Sequence, residues 1–399
     1  MHTQEHIMLA ETYSARNYEP LPVVLTKAQG VWVEDVEGRR YLDMLSSYSA
    51  LNQGHRHPKI VKALCDQTER LCLTSRAFHH DLFGPFCKLI TETCGFEQVL
   101  LANTGVEAVE TAIKAARRWG YAIKGVERDK AEIIVCEGNF HGRTTGVIAF
   151  STEKLYRDGF GPFSPGFRVI PYNDLEALKR AITKNTVAFL VEPIQGEAGI
   201  NVPSDGYLAG AREICCRNNV LLILDEIQTG LGRTGKLFCY EYEAAKPDIL
   251  VVGKALGGGC FPISATLGSR ELMNVAFCPG NHGSTFGGNP LACAVGIAAL
   301  NVVIEERLPE NSFAMGEYLR TELRTLNSPH VKEIRGRGLL VGVEIKQESG
   351  PARSFCERLA ELGVLAKETH GTVIRLAPPL VITREEMDWA LERIAKVIK

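Results

Sequence analysis

The stretch that decides the fold runs from Leu221 to Gly259, LLILDEIQTGLGRTGKLFCYEYEAAKPDILVVGKALGGG. It opens on an apolar run that ends in Asp225 and Glu226, and a second run, Ile249 to Val252, stops just short of Lys254. Each run reads as a strand that delivers a charged residue at its C-terminal end. In open α/β sheets ligands bind at that edge, so Asp225 and Lys254 are expected in one crevice. Gly257, Gly258 and Gly259 then allow backbone to approach whatever sits there.

A strand-end aspartate alone is common, and a lysine after an apolar run is usually a solvated cap. An acid and a lysine beside one ligand, however, fit pyridoxal phosphate: the lysine forms a Schiff base and the carboxylate keeps the pyridinium nitrogen protonated. With DEIQTG and GKALGGG intact around the pair, the sequence resembles the class III, or ω-, aminotransferases of the type I pyridoxal-phosphate fold. The resemblance implies an α/β large domain, with a mostly parallel sheet flanked by helices, and a smaller α+β domain. It also implies that Lys254 is the Schiff-base residue, Asp225 the partner of the pyridine nitrogen and Gln228 a contact to the ring hydroxyl.

At 399 residues the chain exceeds the usual single-domain size, and 45% hydrophobic content suffices for large cores. A net charge of −2 argues against a nucleic-acid or polybasic membrane function. The N-terminus, MHTQEHIMLAETYSARNYEP, lacks a basic region followed by an apolar core, and no run approaches transmembrane length. A cytoplasmic protein is expected. The twelve cysteines are scattered without paired CxxC spacing, which assigns them to core packing in a reducing compartment rather than to disulfides or a metal.

Taken in order, Gly30 to Met44 alternates around Glu37-Gly38 as a β-hairpin. SSYSALNQGHRHPKI is a loop leading to a helix from about Pro58 to Leu73. His55 and His57 have no acidic or cysteine partner at metal spacing nearby in the sequence and read as structural. Gln98 to Ala102 is a strand, and the helix Val106 to Trp119 follows a turn containing Gly105. Such a helix start offers unpaired N–H groups and a positive dipole end to an anion. NTGVEAVETAIKAAR is also close to the family's phosphate-binding segment, which implicates Thr104, Gly105 and Val106.

The strand Glu132 to Cys136 leads to EGNFHGRTTG, where Phe140 can stack on a flat ring and Arg143 can hold a carboxylate. Val187 to Val191 ends in EPIQGEAG, which supplies Glu192 and Glu197. A helix from Tyr207 to Asn218 leads into the opening stretch, and Ala265 to Ser269 is expected as an edge strand. Ser284 and Thr285 follow in HGSTFGGNPL; in the family this segment reaches a neighbouring subunit's cofactor phosphate, implying a homodimer or higher homo-oligomer. Asn289 to Glu306 is a long helix. Beyond it, VKEIRGRGLLVGVEI and VIRLAPPLVI read as strands, the latter carrying Arg375, and Arg384 to Lys399 closes the chain as a helix. The expected division is a cofactor-binding domain over 46–286 and a small domain from 1–45 and 287–399.

Within the family, NYEPLPVVL with Tyr18, SSYSALNQGH with Tyr48, GEAG with Glu197 and IRLAPP with Arg375 narrow the resemblance to the ornithine δ-aminotransferase branch. That branch implies transfer of the δ-amino group of L-ornithine to 2-oxoglutarate, giving glutamate 5-semialdehyde and glutamate. Tyr18 would hold the α-amino group, Arg143 the α-carboxylate, and Tyr48 the head group. Glu197 would pair with Arg375 while ornithine reacts and release it for 2-oxoglutarate. His141, where animal members of the branch carry Trp, looks more like the acetylornithine enzymes, and Phe286 replaces a Tyr in the segment after Thr285. The alternative reading is therefore an acetylornithine or other ω-amino acid (4-aminobutyrate) aminotransferase.

Overall fold

The computed structural model describes residues 1–399. A seven-stranded sheet runs, in spatial order, Gln98–Ala102, Ser264–Gly268, Ile249–Val252, Leu221–Asp225, Thr186–Val191, Glu132–Cys136 and Phe167–Ile170. The last five of these are mutually parallel. Parallel strands covered by helices on both faces must be apolar throughout, and every residue of Leu221–Asp225, Ile249–Val252 and Thr186–Val191 is buried. Successive side chains point to opposite faces. Leu222 and Leu224 therefore join Tyr207 and Ala211 of the helix Tyr207–Arg217 in one core, while Ile223 joins Val109 and Ala112 of the helix Gly105–Trp119 in another.

The segment expected as an edge strand is instead interior. Ser264–Gly268 lies antiparallel between Gln98–Ala102 and Ile249–Val252, fully buried, and the edges are Gln98–Ala102 and Phe167–Ile170. Its polar residues are compatible with burial because helix-side carbonyls take their hydroxyls: Ser264 Oγ donates to Thr104 O at 2.7 Å and Thr266 Oγ1 to Ala108 O at 2.8 Å. The helix expected to reach Leu73 spans Pro58–Thr68. The Gln67 side-chain amide donates to Leu71 O, so the chain turns off the helix axis where the apolar pattern alone would continue it.

A four-stranded sheet joins the two ends of the chain. The hairpin Trp32–Asp35 and Arg40–Asp43 is flanked by Leu25–Gln29 on one side and, in parallel, by Val364–Leu365 on the other. A second four-stranded sheet contains Val331–Arg337, Leu340–Ile345, Val373–Leu376 and Lys367–Thr369, all antiparallel. Leu42 and Met44 share a core with Val341, Leu376 and Ile394. The helix Pro290–Glu305 contributes Val295 and Ala299 to that core and Cys293 and Leu300 to one face of the large sheet. The fully buried Arg233 ties these regions together, donating to Leu339 O, Pro378 O and Asn52 Oδ1. No helix is long and apolar enough to cross a membrane.

Candidate active site

The C-terminal ends of the parallel strands converge on one cavity of about 230 Å³. Asp225 ends its strand there, Glu192 follows Thr186–Val191, and Phe140 and His141 follow Glu132–Cys136. Lys254 enters just beyond Ile249–Val252 with φ 45°, a left-handed conformation that a residue with a side chain seldom adopts and that is concentrated at functional sites. Gly105, Val106, Glu197 and Gln228 complete the ring of expected residues around it. Burial depresses the Lys254 ammonium's pKa, a shift that the carboxylates of Glu197 and Asp225 oppose without cancelling. The free amine is thereby made more accessible than on a surface lysine.

Asp225 is held from two sides. Its Oδ1 accepts from Ile227 N at 3.1 Å, and the fully enclosed His141 donates from Nδ1 to its Oδ2 at 2.7 Å. Burial alone would lower the pKa of His141, but the hydrogen bond and charge of Asp225 outweigh it and raise it. Glu192, buried beside them, accepts from Phe140 N at 3.0 Å and Gly196 N at 3.4 Å, and burial pushes its carboxyl up to about 7. Sequence reasoning placed neither His141 nor Glu192 among the site residues. The available signal was position, since one neighbours the ring-stacking candidate and the other directly follows a buried parallel strand.

The helix Gly105–Trp119 begins with a capping box. Thr104 Oγ1 accepts from Glu107 N, and Glu107 Oε2 accepts from Asn103 N and Thr104 N at 2.8 Å each. Those groups are engaged within the chain, which leaves the Gly105 and Val106 ends of the helix turned to the cavity. A Cβ on Gly105 would meet Ile227 Cδ1 at 2.9 Å, so close packing requires glycine there. Thr104 does not line the cavity. Ser284 accepts from Asn103 Nδ2 at 2.8 Å, and neither it nor the exposed Thr285 lines the cavity.

Tyr18, Tyr48 and Arg143 instead share a larger groove of about 590 Å³ at the mouth. Tyr48 sits in a left-handed turn, Ser46 to Ser49, with φ of 51°, 46°, 61° and 75°. Asp43 Oδ1 holds that turn by accepting from Leu45 N and Ser46 N at 2.8 and 3.0 Å. Arg375, buried, lies 5.0 Å over the Tyr48 ring and donates to Glu197 Oε1 at 2.9 Å and to Gly196 O at 3.1 Å. Gln228 Nε2 donates to the same Glu197 oxygen at 3.2 Å. Burial would raise the pKa of Glu197, yet Arg375 outweighs it and brings the carboxyl down to about 2. His55 and His57 each face a carboxylate, Asp43 at 2.8 Å and Glu306 at 3.2 Å.

The donor set suits a flat, phosphorylated pyridine aldehyde. A helix start faces the cavity for the phosphate, an aromatic ring for the face, a buried carboxylate for the ring nitrogen and an amine for the carbonyl carbon.

The family model for aminotransferase class-III matches residues 13–398. An ornithine aminotransferase from Geobacillus sp. (strain WCH70) is 61% identical over 99% of this chain and 98% of its own length. The crystal structure of the ornithine aminotransferase from Toxoplasma gondii ME49 superposes with a TM-score of 0.98 at 46% identity, covering 100% of this chain and 95% of that one. The acetylornithine aminotransferase from Elizabethkingia anophelis superposes at 0.91 with 47% identity, covering 100% and 99%.

Proposed function

We propose, from the premise that this chain belongs to the class-III aminotransferase family, that it is an ornithine aminotransferase. It moves the δ-amino group of L-ornithine to 2-oxoglutarate. The observation that carries this reading is the Glu197–Arg375 pair at 2.9 Å, beside Lys254, with Arg143 left without a carboxylate partner at the outer groove. One arginine is masked and one is open, which is what a site must offer if two substrates enter in opposite directions.

The cofactor is pyridoxal 5′-phosphate, which supplies the electrophilic carbon and the electron sink. The chain's own residues do the rest. Gly105 and Val106 hold the phosphate, with Thr104 shaping the helix start through its cap and Ser284 and Thr285 serving the site of a second subunit. Phe140 covers the ring and Gln228 meets its hydroxyl. Asp225, oriented by His141, binds the protonated ring nitrogen. Lys254 would anchor the cofactor and, once released from it, its Nζ would be the positioned base and acid that takes the proton from the amine-bearing carbon of the substrate.

Arg143 binds the α-carboxylate of ornithine, and Tyr18 and Tyr48 meet its α-amino head. Because Glu197 occupies Arg375, that carboxylate has no second arginine beside Lys254, and the δ-amine is the end presented. For 2-oxoglutarate Glu197 swings away, Arg375 takes the α-carboxylate and Arg143 the distal one. The products are glutamate 5-semialdehyde and glutamate.

The chain works as a homodimer in the cytoplasm. Supporting the first is the exposure of Phe286 (51%), next to the Ser284–Thr285 segment; supporting the second are twelve free thiols. Residues 46–286 form the cofactor-binding domain, and 1–45 with 287–399 the smaller one, a division supported by the pairing of Arg40–Asp43 with Val364–Leu365.

The test is a two-substrate assay with ornithine, N-acetylornithine and 4-aminobutyrate, each against 2-oxoglutarate. Ornithine should have the highest kcat/KM and yield the cyclising semialdehyde. A preference for N-acetylornithine would replace this reading with the acetylornithine one.

A further inference from the structure

Arg143 is exposed, and no carboxylate of the chain pairs with it. Its guanidinium carbon lies 3.9 Å from the centroid of the Tyr156 ring and 5.5 Å from that of Phe140. Tyr156 in turn meets Phe140 edge to face, with centroids 6.1 Å apart and planes at 74°. It stands on the short helix Lys154–Arg157, fastened at its start by Glu153, which accepts from Leu155 N, and at its end by Arg157, which donates to Ser151 O at 3.0 Å.

A long arginine side chain left to solvent loses rotamer freedom when it binds a carboxylate. An ion pair could order it in advance, but that pair would occupy the N–H edge the substrate needs. A stacked aromatic ring eases the conflict, because it engages the π face of the guanidinium and leaves most of its in-plane donors to the substrate. We infer that Tyr156 is a positioning residue for both substrates: it is the shelf that holds Arg143 ready for a carboxylate and, through its edge on Phe140, sets that carboxylate's place relative to the cofactor ring. This rests on the reading of Arg143 as the carboxylate-binding arginine.

The shelf is assigned to the ring face; the guanidinium also reaches the phenol oxygen, where its charge and hydrogen bond oppose the rise that burial imposes on the Tyr156 pKa, so Tyr156→Phe separates the two contacts. Y156F should therefore keep apparent KM values within about twofold of the parent. Y156L should raise KM for both ornithine and 2-oxoglutarate by roughly threefold to tenfold, the effect of losing a partly exposed cation–π contact. Its kcat at saturation, thermal midpoint and bound-cofactor absorbance should stay those of the parent. Y156Q, which keeps bulk and polarity without a π face, should behave like Y156L and replaces it if that variant does not fold. 5-Aminopentanoate, which has the carboxylate without the α-amine, should bind more weakly to Y156L by the same factor.

R143A is the control that separates the two claims. If R143A raises both KM values and neither Y156L nor Y156Q does, the shelf is overturned while the role of Arg143 stands. If R143A leaves both KM values unchanged, the reading of Arg143 falls and the shelf with it. A Y156F variant as impaired as Y156L would assign the effect to the hydroxyl and overturn stacking.

Discussion

His141 Nδ1 and Asp225 Oδ2 meet at 2.7 Å, with 0% and 5% of the respective side chains exposed. Breaking one half of such a buried pair strands the other charge, at a cost of roughly 3 kcal/mol or more. H141L should therefore lower unfolding free energy by about that amount and shift the pH dependence of bound-cofactor absorbance. H141N, which retains a donor, should be affected less. Equilibrium unfolding and spectral titration read both, and an H141L protein as stable as the parent would show that the contact is incidental.

Glu192 makes stability fall as pH rises. The folded chain keeps that carboxyl protonated up to about pH 7, whereas an unfolded glutamate releases its proton near its ordinary 4.5. Between those values the native state binds more protons, so ionising the buried group opposes folding, by up to roughly 3 kcal/mol at pH 8. E192Q should flatten the decline in thermal midpoint between about pH 4.5 and 7. An equal slope in both proteins would contradict this.

Gly196 has no room for a methyl group. A Cβ there would stand 1.4 Å from Gln228 Oε1, so G196A must expel that side chain and break its donation to Glu197. Cofactor affinity, followed by titrating the apoprotein, should fall about tenfold or more, equivalent to about 1.4 kcal/mol. Unchanged affinity would mean that Gln228 makes no useful contact with the ring.

The turn carrying Tyr48 limits which substitution is informative. At φ 61° and ψ 43° a β-branched residue would add backbone strain to any loss of substrate contact, so Tyr48→Phe is the cleaner change. It should raise KM for ornithine about tenfold, the loss of one hydrogen bond to a charged head group. KM for 4-aminobutyrate, which lacks that head group, should not move.

What the sequence made legible was set by periodicity and by strand ends. Buried runs such as Leu221–Asp225 and Ile249–Val252 admit one reading, and their C-terminal ends lead directly to Asp225 and Lys254. Ala265 to Ser269 was expected at an edge, whereas the strand Ser264–Gly268 is interior and helix-side carbonyls receive its hydroxyls. The helix Leu308–Thr325 went unread: Pro309 looks like a breaker but sits in the first turn, where a missing N–H costs nothing. The left-handed turn at Ser46 to Ser49 contains no glycine to announce it, although its carboxylate anchor, Asp43, lies just upstream. His141 was visible as a departure from animal relatives, but its bond to Asp225 depends on two strand ends meeting, which no local pattern encodes.

The most direct test of the account is the regiochemistry of single turnovers in Glu197→Ala, followed by cofactor absorbance with product identification. Arg375 is masked by Glu197 at 2.9 Å, so removing the carboxylate opens a second carboxylate site beside Lys254. The parent should convert ornithine to glutamate 5-semialdehyde alone. The variant should accelerate the glutamate half-reaction and release a measurable share of 5-amino-2-oxopentanoate, the product of α-transfer. A variant that slows both half-reactions alike, loses thermal stability and still transfers only the δ-amine would contradict the switch and reduce the pair to a structural ion bridge.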